Sequence, residues 1–448
     1  MFGLHDLAYR WSHLSIVFRG QQLVRFPPET MRKAGGPAQR IRVDSSRFVG
    51  ASNSPLNRLA FGLFCLFVFS IPWENLLMWS AVVTVSHMLG LVALPVAVLA
   101  ILESGQLRRL SVPLVLMALF VAWGSLSFFW TVDVEATRKL VISWVQNLGM
   151  VWLIWELADQ RGRQLVLMRT YVFGTMVSAG GTIYSYLTGS KVHYQRYTAS
   201  GFDPNDLALL LALSLPISFY LTTIHRHSRL VWIYRLQLLA AIFAIGLTGS
   251  RGVLIATLVA LAYLPFGSVK MTFRKKCAFL LVGVTAISFT LAFMPETTWK
   301  RWRGMGGELE QGTWSGRKAI WSAGLELVRE YPVQGVGAGG FRTATSSALV
   351  AHNAFLSVLV EEGLVGFALF LLLILSLTLP ALGLPTVERN LWLVLLVTWV
   401  VGVSSLTWET KKATWFLFGL AAARLADRGV NSGVRVPRPA FVTGTPST

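Results

Sequence analysis

Long apolar stretches, separated by short polar connections, recur along most of this chain and limit what it can fold into. They fall at about 58–73, 76–101, 111–130, 139–157, 165–187, 206–223, 230–247, 251–266, 277–294, 354–379, 389–406 and 412–426. Crossing a hydrocarbon layer of about 30 Å at 1.5 Å per residue takes roughly 20 apolar residues in a helix. Lipid leaves no water to satisfy the backbone, so such stretches must be helical. Charged residues make up 14% of the chain and hydrophobic ones 54%, against about a quarter charged in soluble domains. The mean hydropathy of +0.57 agrees. The pattern predicts an all-α, polytopic membrane protein with about twelve transmembrane helices and excludes a soluble globular domain.

The net charge of +19 would suit nucleic acid, but its distribution argues for topology. Arg108 and Arg109, Arg161 and Arg163, Arg226 and Arg229, and Lys270 with Arg274, Lys275 and Lys276 all lie in even-numbered loops. That is the positive-inside pattern, with both termini inside and attraction to anionic membrane lipids rather than nucleic acid. Residues 1–57 form a basic arm. Within it Leu7, Trp11, Leu14 and Phe18 recur at helical spacing, which suits a helix lying on the inner leaflet. The membrane domain runs over 58–426, and 427–448 is a basic tail. Cys65 and Cys277 sit at different depths, which disfavours a disulfide.

Function in such a chain concentrates in long loops. The odd-numbered loops face outward, and two are substantial: about 188–206 and about 295–352. In the second, Ser315-Gly316-Arg317 opens an amphipathic helix that ends at Tyr331-Pro332. Ser315 suits its N-cap, and Pro332 stops it. Arg317, Trp321, Gly324, Leu325 and Val328 share its inward face. On spacing alone, Arg317 fits either a phosphate ligand or a surface arginine. The glycine-dense run Gly335-Val336-Gly337-Ala338-Gly339-Gly340 permits close backbone approach or left-handed turns. His352-Asn353 opens the next span. There the helix dipole favours a neutral ring able to accept a proton; on position alone, His352 fits either a general base or a capping, interfacial histidine. Arg251, in the tight turn Thr248-Gly249-Ser250-Arg251-Gly252, places a cation where the topology rule disfavours one, which favours a functional role over snorkelling to the outer interface. Arg138, Lys139 and Arg196 are further outward cations. Asp203-Pro204-Asn205-Asp206 reads as a helix start rather than a metal site.

Arg251, Arg317 and His352 thus map to one side of the membrane. Two permanent forked cations and a neutral imidazole suit departure of a diphosphate and activation of a hydroxyl. The motifs 248–252, 315–321, 331–337 and His352-Asn353 with Leu356, Glu362-Gly363 and Gly366 together resemble the O-antigen ligase and polymerase family. The stretch Trp130-Thr131-Val132-Asp133 resembles one of its outward loops. The resemblance implies a metal-independent inverting glycosyltransferase without cofactor, at the periplasmic face of the inner membrane. It would move a glycan from an undecaprenyl-diphosphate donor to lipid A-core or to a growing glycan. Arg251 and Arg317 would hold the diphosphate, and His352 would activate the acceptor. Arg138, Lys139, Arg196, Gly337 and Asn353 are expected to line the substrate site. Ligase is the leading reading and polysaccharide polymerase the alternative. A transporter is disfavoured, because few ionisable residues fall mid-span.

Overall fold

The computed structural model describes residues 54–77, 84–105, 107–191, 195–225, 227–266, 273–303, 316–345 and 349–432. The expected arm helix around Leu7–Phe18 and the tail beyond residue 432 lie outside them. Among the described residues the chain is helical: α1 Pro55–Ser70, α2 Val85–Ser104, α3 Val112–Leu126, α4 Val134–Leu157, α5 Arg161–Leu187, α6 Pro204–Ile224, α7 Leu230–Thr248, α8 Arg251–Phe266, α9 Phe273–Ala292, α10 Glu296–Arg303, α11 Arg317–Glu330, α12 Phe341–Ala344, α13 Ala354–Ala381, α14 Thr386–Val403 and α15 Lys412–Ser432. Eight are long and apolar enough to cross a membrane: α1, α2, α3, α4, α6, α7, α13 and α14, with α1 and α3 extended by short 3-10 turns. The chain is an integral membrane protein. Four more helices, α5, α8, α9 and α15, occupy the other expected positions. Either their apolar run is shorter, or basic residues such as Arg161, Arg163 and Arg169 interrupt it.

The expected second span began near residue 76, but α2 begins at Val85. The cause is a polar knot. Pro72 and Glu74 lie in a 3-10 turn over Ile71–Leu76. The Glu74 carboxylate accepts hydrogen bonds from Thr84 and Ser86 and pairs with Lys412 at 2.5 Å. Thr84 then caps α2 by accepting from the His87 N–H.

The centre of the bundle is α6. Every residue from Leu207 to Leu221 is buried, as expected of a helix that is apolar all round. It packs against α5, α7, α8 and α14. Its polar residues Ser214 and Ser218 meet Gln237 of α7, which also donates to Thr175 of α5 at 3.1 Å. Interhelical hydrogen bonds of this kind contribute about 0.6 kcal/mol each in membranes. They fix the depth at which three helices meet, which apolar contacts alone define poorly. With α6 held in place, its N-terminus and the neighbouring helix ends form one polar surface.

A candidate active site at one end of the bundle

The glycine-dense run forms the floor of this surface. It lies between the α3–α4 connection and the first turns of α13. Gly337 has φ +95°, which side-chain-bearing residues rarely adopt. A Cβ there would come within 2.5 Å of Thr131. Its N–H donates to the carbonyl of Glu361 at 2.9 Å. The Val132 N–H donates to the Val336 carbonyl, and Thr137 Oγ1 donates to that of Ala338 at 2.7 Å. The α13 helix accommodates this run by breaking at Gly363, with φ +62° and ψ −167°. The Glu361 side chain accepts from the N–H groups of Gly339 and Phe341. The close approach that the glycines permit is therefore to the chain's own backbone. Gly337 is expected to line the substrate site; the neighbours seen here are Thr131 and the Glu361 carbonyl. The Trp130–Asp133 motif is the other wall of the same seam.

A small apolar plug stands on this floor: Ile320, Val336, Phe341, Ala351 and Val360, with Trp321 and Leu327 packed on it. It carries α11. The inward face of α11 holds Arg317, Ile320, Trp321, Gly324, Leu327 and Val328, whereas Leu325 is exposed. Leu325 thus departs from the expected face because the plug meets α11 on the Ile320–Gly324 side. Gly316, with φ +80°, begins the helix; the expected cap Ser315 lies outside the described residues. Trp321 Nε1 donates to the carbonyl of Ala351 at 2.9 Å. That bond mounts the Arg317 helix on the residue preceding His352.

His352 has φ +48°, an uncommon conformation for a side-chain-bearing residue and one that surrounding contacts must hold. Asn353 caps α13, its side chain accepting from the N–H groups of Phe355 and Leu356 at 3.0 and 3.1 Å. The His352 N–H donates to Thr407 Oγ1 at 3.0 Å. The ring is half-buried. Its pKa is lowered first by that burial and then by Arg317, with Asp203 and Asp206 opposing and Arg342 adding to the depression. The ring therefore favours its neutral form, as expected. The causes are desolvation and nearby charges, where the helix dipole had been the expected one.

Thr407 belongs to the 404–411 connection between α14 and α15, to which the sequence drew no attention. Ser405 lies where a Cβ on Gly252 would intrude, at 2.3 Å, so only glycine lets the start of α8 close on this connection. Arg251 is half-buried beside it. Trp408 Nε1 donates to Asp206 Oδ1 at 2.9 Å, and Lys411 pairs with Asp206 Oδ2 at 2.7 Å. Ser357 donates to buried Glu409 at 3.1 Å, and burial lifts the Glu409 carboxyl to about 7. One connection thus touches the starts of α6, α8 and α13. A signal for it was present: Lys411 and Lys412 lie in or border an odd-numbered connection, where the expected topology disfavours cations, as it does at Arg251.

The remaining candidates lie elsewhere or are otherwise engaged. Arg138 and Lys139 pair with Glu135 at 2.8 and 3.2 Å on an exposed face of α4. Arg196 is buried and braces the 188–203 connection. Its Nε donates to the Thr248 carbonyl at 2.6 Å, and a terminal nitrogen donates to Asn205 at 2.8 Å. Asp203 caps α6 by accepting from the N–H groups of Asn205 and Asp206, the helix start its sequence indicated.

Residues 236–371 match a family model described as O-antigen ligase. The matched stretch runs from α7 into α13 and includes Arg251, Arg317, Gly337, His352 and Asn353. The resemblance read from the motifs therefore stands. No curated protein matches the chain.

Proposed function

We propose that this protein is a membrane glycosyltransferase that moves a glycan from an undecaprenyl-diphosphate donor to an acceptor hydroxyl, and acts as an O-antigen ligase on lipid A-core. The observation that carries the reading is the mounting of α11 on Ala351. It sets the Arg317 guanidinium in the field of a half-buried, proton-accepting His352. In this reading the acceptor O–H gives its proton to His352 as the oxygen attacks the anomeric carbon. The bond from that carbon to the phosphate oxygen breaks, and the electron pair leaves with undecaprenyl diphosphate. Arg251 and Arg317 stabilise the departing charge through forked, permanently ionised donors. Attack opposite the leaving group inverts the anomeric centre. The cations do what a divalent metal does in other transferases, and the nearby carboxylates are otherwise engaged: Asp203 caps α6 and Asp206 is held by Trp408 and Lys411.

The same reading gives twelve spans in a domain over 58–426. The connections at about 188–206 and 295–352, and the one between the spans 389–406 and 412–426, face the periplasm. The arm 1–57 and the tail 427–448 lie on the cytoplasmic side of the inner membrane. Purified protein incubated with a diphosphate-linked glycan and either lipid A-core or a second donor molecule tests the function. Product on lipid A-core supports the ligase, and chain extension supports a polysaccharide polymerase instead. Flux of solute into liposomes without either product would replace both with transport. A chelator is expected to leave the rate unchanged, and strong inhibition would restore a metal role.

A further inference from the structure

The 404–411 connection holds the His352 backbone through Thr407, so the contacts that fix this connection also fix the base. Two of its carbonyls are tied to neighbouring helices. Asn147 of α4 donates to the Thr410 carbonyl and Trp415 of α15 to that of Glu409, each at 2.8 Å. Its tie to the central helix α6 is a side chain, Asp206. An acid in the first turn of a helix is favoured there by the dipole alone. The Asp206 carboxylate reaches across to the connection as well: Oδ1 accepts from Trp408 Nε1 at 2.9 Å, and Oδ2 pairs with Lys411 at 2.7 Å. Both of its oxygens are thus given to residues of one connection.

Trp408 follows Thr407 directly in the chain and is 1% exposed. A buried indole N–H requires an acceptor, and a charged acceptor gives a shorter, stronger bond. Asp206 supplies it from the position just before Leu207, where the wholly buried stretch of α6 starts. The path from the buried central helix to the base is then continuous. Asp206 holds Trp408, the peptide bond joins Trp408 to Thr407, and Thr407 Oγ1 accepts the His352 N–H at 3.0 Å. His352 has a left-handed backbone at φ +48°, and such a conformation persists only where surrounding contacts hold it.

We propose that Asp206 is a positioning residue for the base: it anchors the 404–411 connection through Trp408 and Lys411, so that Thr407 holds the His352 backbone in its reactive orientation. The assignment rests on the glycosyl-transfer reading above. It adds a role for an acid that motif spacing read only as part of a helix start. Asp206 acts through the connection and not on the substrate, so it governs turnover rather than binding.

The test uses the full-length protein in detergent. It follows transfer from a diphosphate-linked glycan, binding of farnesyl diphosphate as a short prenyl probe, and amide hydrogen exchange in peptides spanning His352. Asp206→Leu removes both bonds and is expected to lower kcat at least about tenfold, as displacement of a reacting group does. Donor KM and farnesyl diphosphate binding should change less than about threefold, because no ground-state contact is lost. Asp206→Asn keeps an acceptor for Trp408 Nε1 and should recover most of the lost kcat. Exchange at the His352 amide should speed up in Asp206→Leu and in Thr407→Val alike, as local opening requires. The double variant Asp206→Leu/Thr407→Val should transfer no more slowly than the slower single variant, since both changes cut one path.

Losses that multiply in the double variant would overturn the inference. So would an unchanged exchange rate at His352, or equal losses in kcat and in donor binding, which mark general disruption. If the unaltered protein transfers no glycan, the glycosyl-transfer reading falls, while the exchange rates still decide whether Asp206 holds His352. Where Asp206→Leu does not fold, Trp408→Phe removes the same hydrogen bond from the other side and is expected to give the same pattern.

Discussion

The two ends of the helix bundle handle charge in opposite ways. At the end where α5 and α14 begin, basic side chains are held by contacts within the protein. Buried Glu388 pairs with Arg161 at 2.6 Å and with Arg424, and it accepts from the Tyr220 hydroxyl. Arg108 lies over the Trp155 ring at 4.2 Å, and Arg163 donates to the Leu157 carbonyl and to Asn57 at 2.8 and 2.5 Å. At the other end, the acids Glu74 and Asp206 are taken by Lys412 and Lys411. Arg317 instead acts on the half-buried His352 ring, lowering its pKa beside the effect of burial. An end whose cations are engaged within the protein holds helices together. An end where a cation adjoins a neutral imidazole suits the chemistry proposed above.

The contrast can be broken by substitution, and the largest effect is expected at His352. His352→Ala should lower transfer by about 10³-fold, within the range for loss of a general base, while farnesyl diphosphate binding persists. Loss of both together would make His352 a structural residue. At the end where α5 and α14 begin, Glu388→Gln leaves Arg161 and Arg424 without its charge. It should cost about 3 kcal/mol of stability, read as a lowered melting temperature, with the pH–rate profile of surviving enzyme unchanged. Arg317→Lys keeps the charge and loses the fork, so a loss of about tenfold or more in kcat/KM is expected; full activity would remove diphosphate clamping. Thr407→Val should lower kcat more than it raises the donor KM, and Thr407→Ser should restore it, because the hydroxyl orients the left-handed His352 backbone.

The smallest effect concerns pH. Burial and Arg317 lower the His352 pKa, so the acid limb of kcat/KM should fall below the ordinary imidazole value of about 6.5. Asp203 opposes that depression. Asp203→Asn keeps the helix cap but removes the opposing charge, so the acid limb should move further down. A shift upward would show that Asp203 does not act on the ring.

Much of the fold was legible in the sequence. Runs of apolar residues dictate helices in lipid wherever they occur, so α7, α8 and α13 start where hydropathy placed them. The start of α2 was not legible, because the Glu74 knot depends on Lys412, more than three hundred residues away in sequence. Arg251, Arg317 and His352 were legible as chemical types in costly places. The intramolecular contacts of Gly337 and Arg196 were not, because a glycine that admits a ligand and one that admits a neighbouring backbone look alike in sequence. A ligating arginine and a bracing one are equally indistinguishable. Thr407 carried no motif at all.

By itself, then, the sequence determined the helices, the membrane as solvent and the side chains able to bear the chemistry, since each follows from local hydropathy and charge. Which of those side chains face one another was decided only by tertiary packing. The Phe341 plug, the break at Gly363 and the 404–411 connection bring residues from distant helices to one surface, and contacts between distant segments leave no periodic trace in a chain.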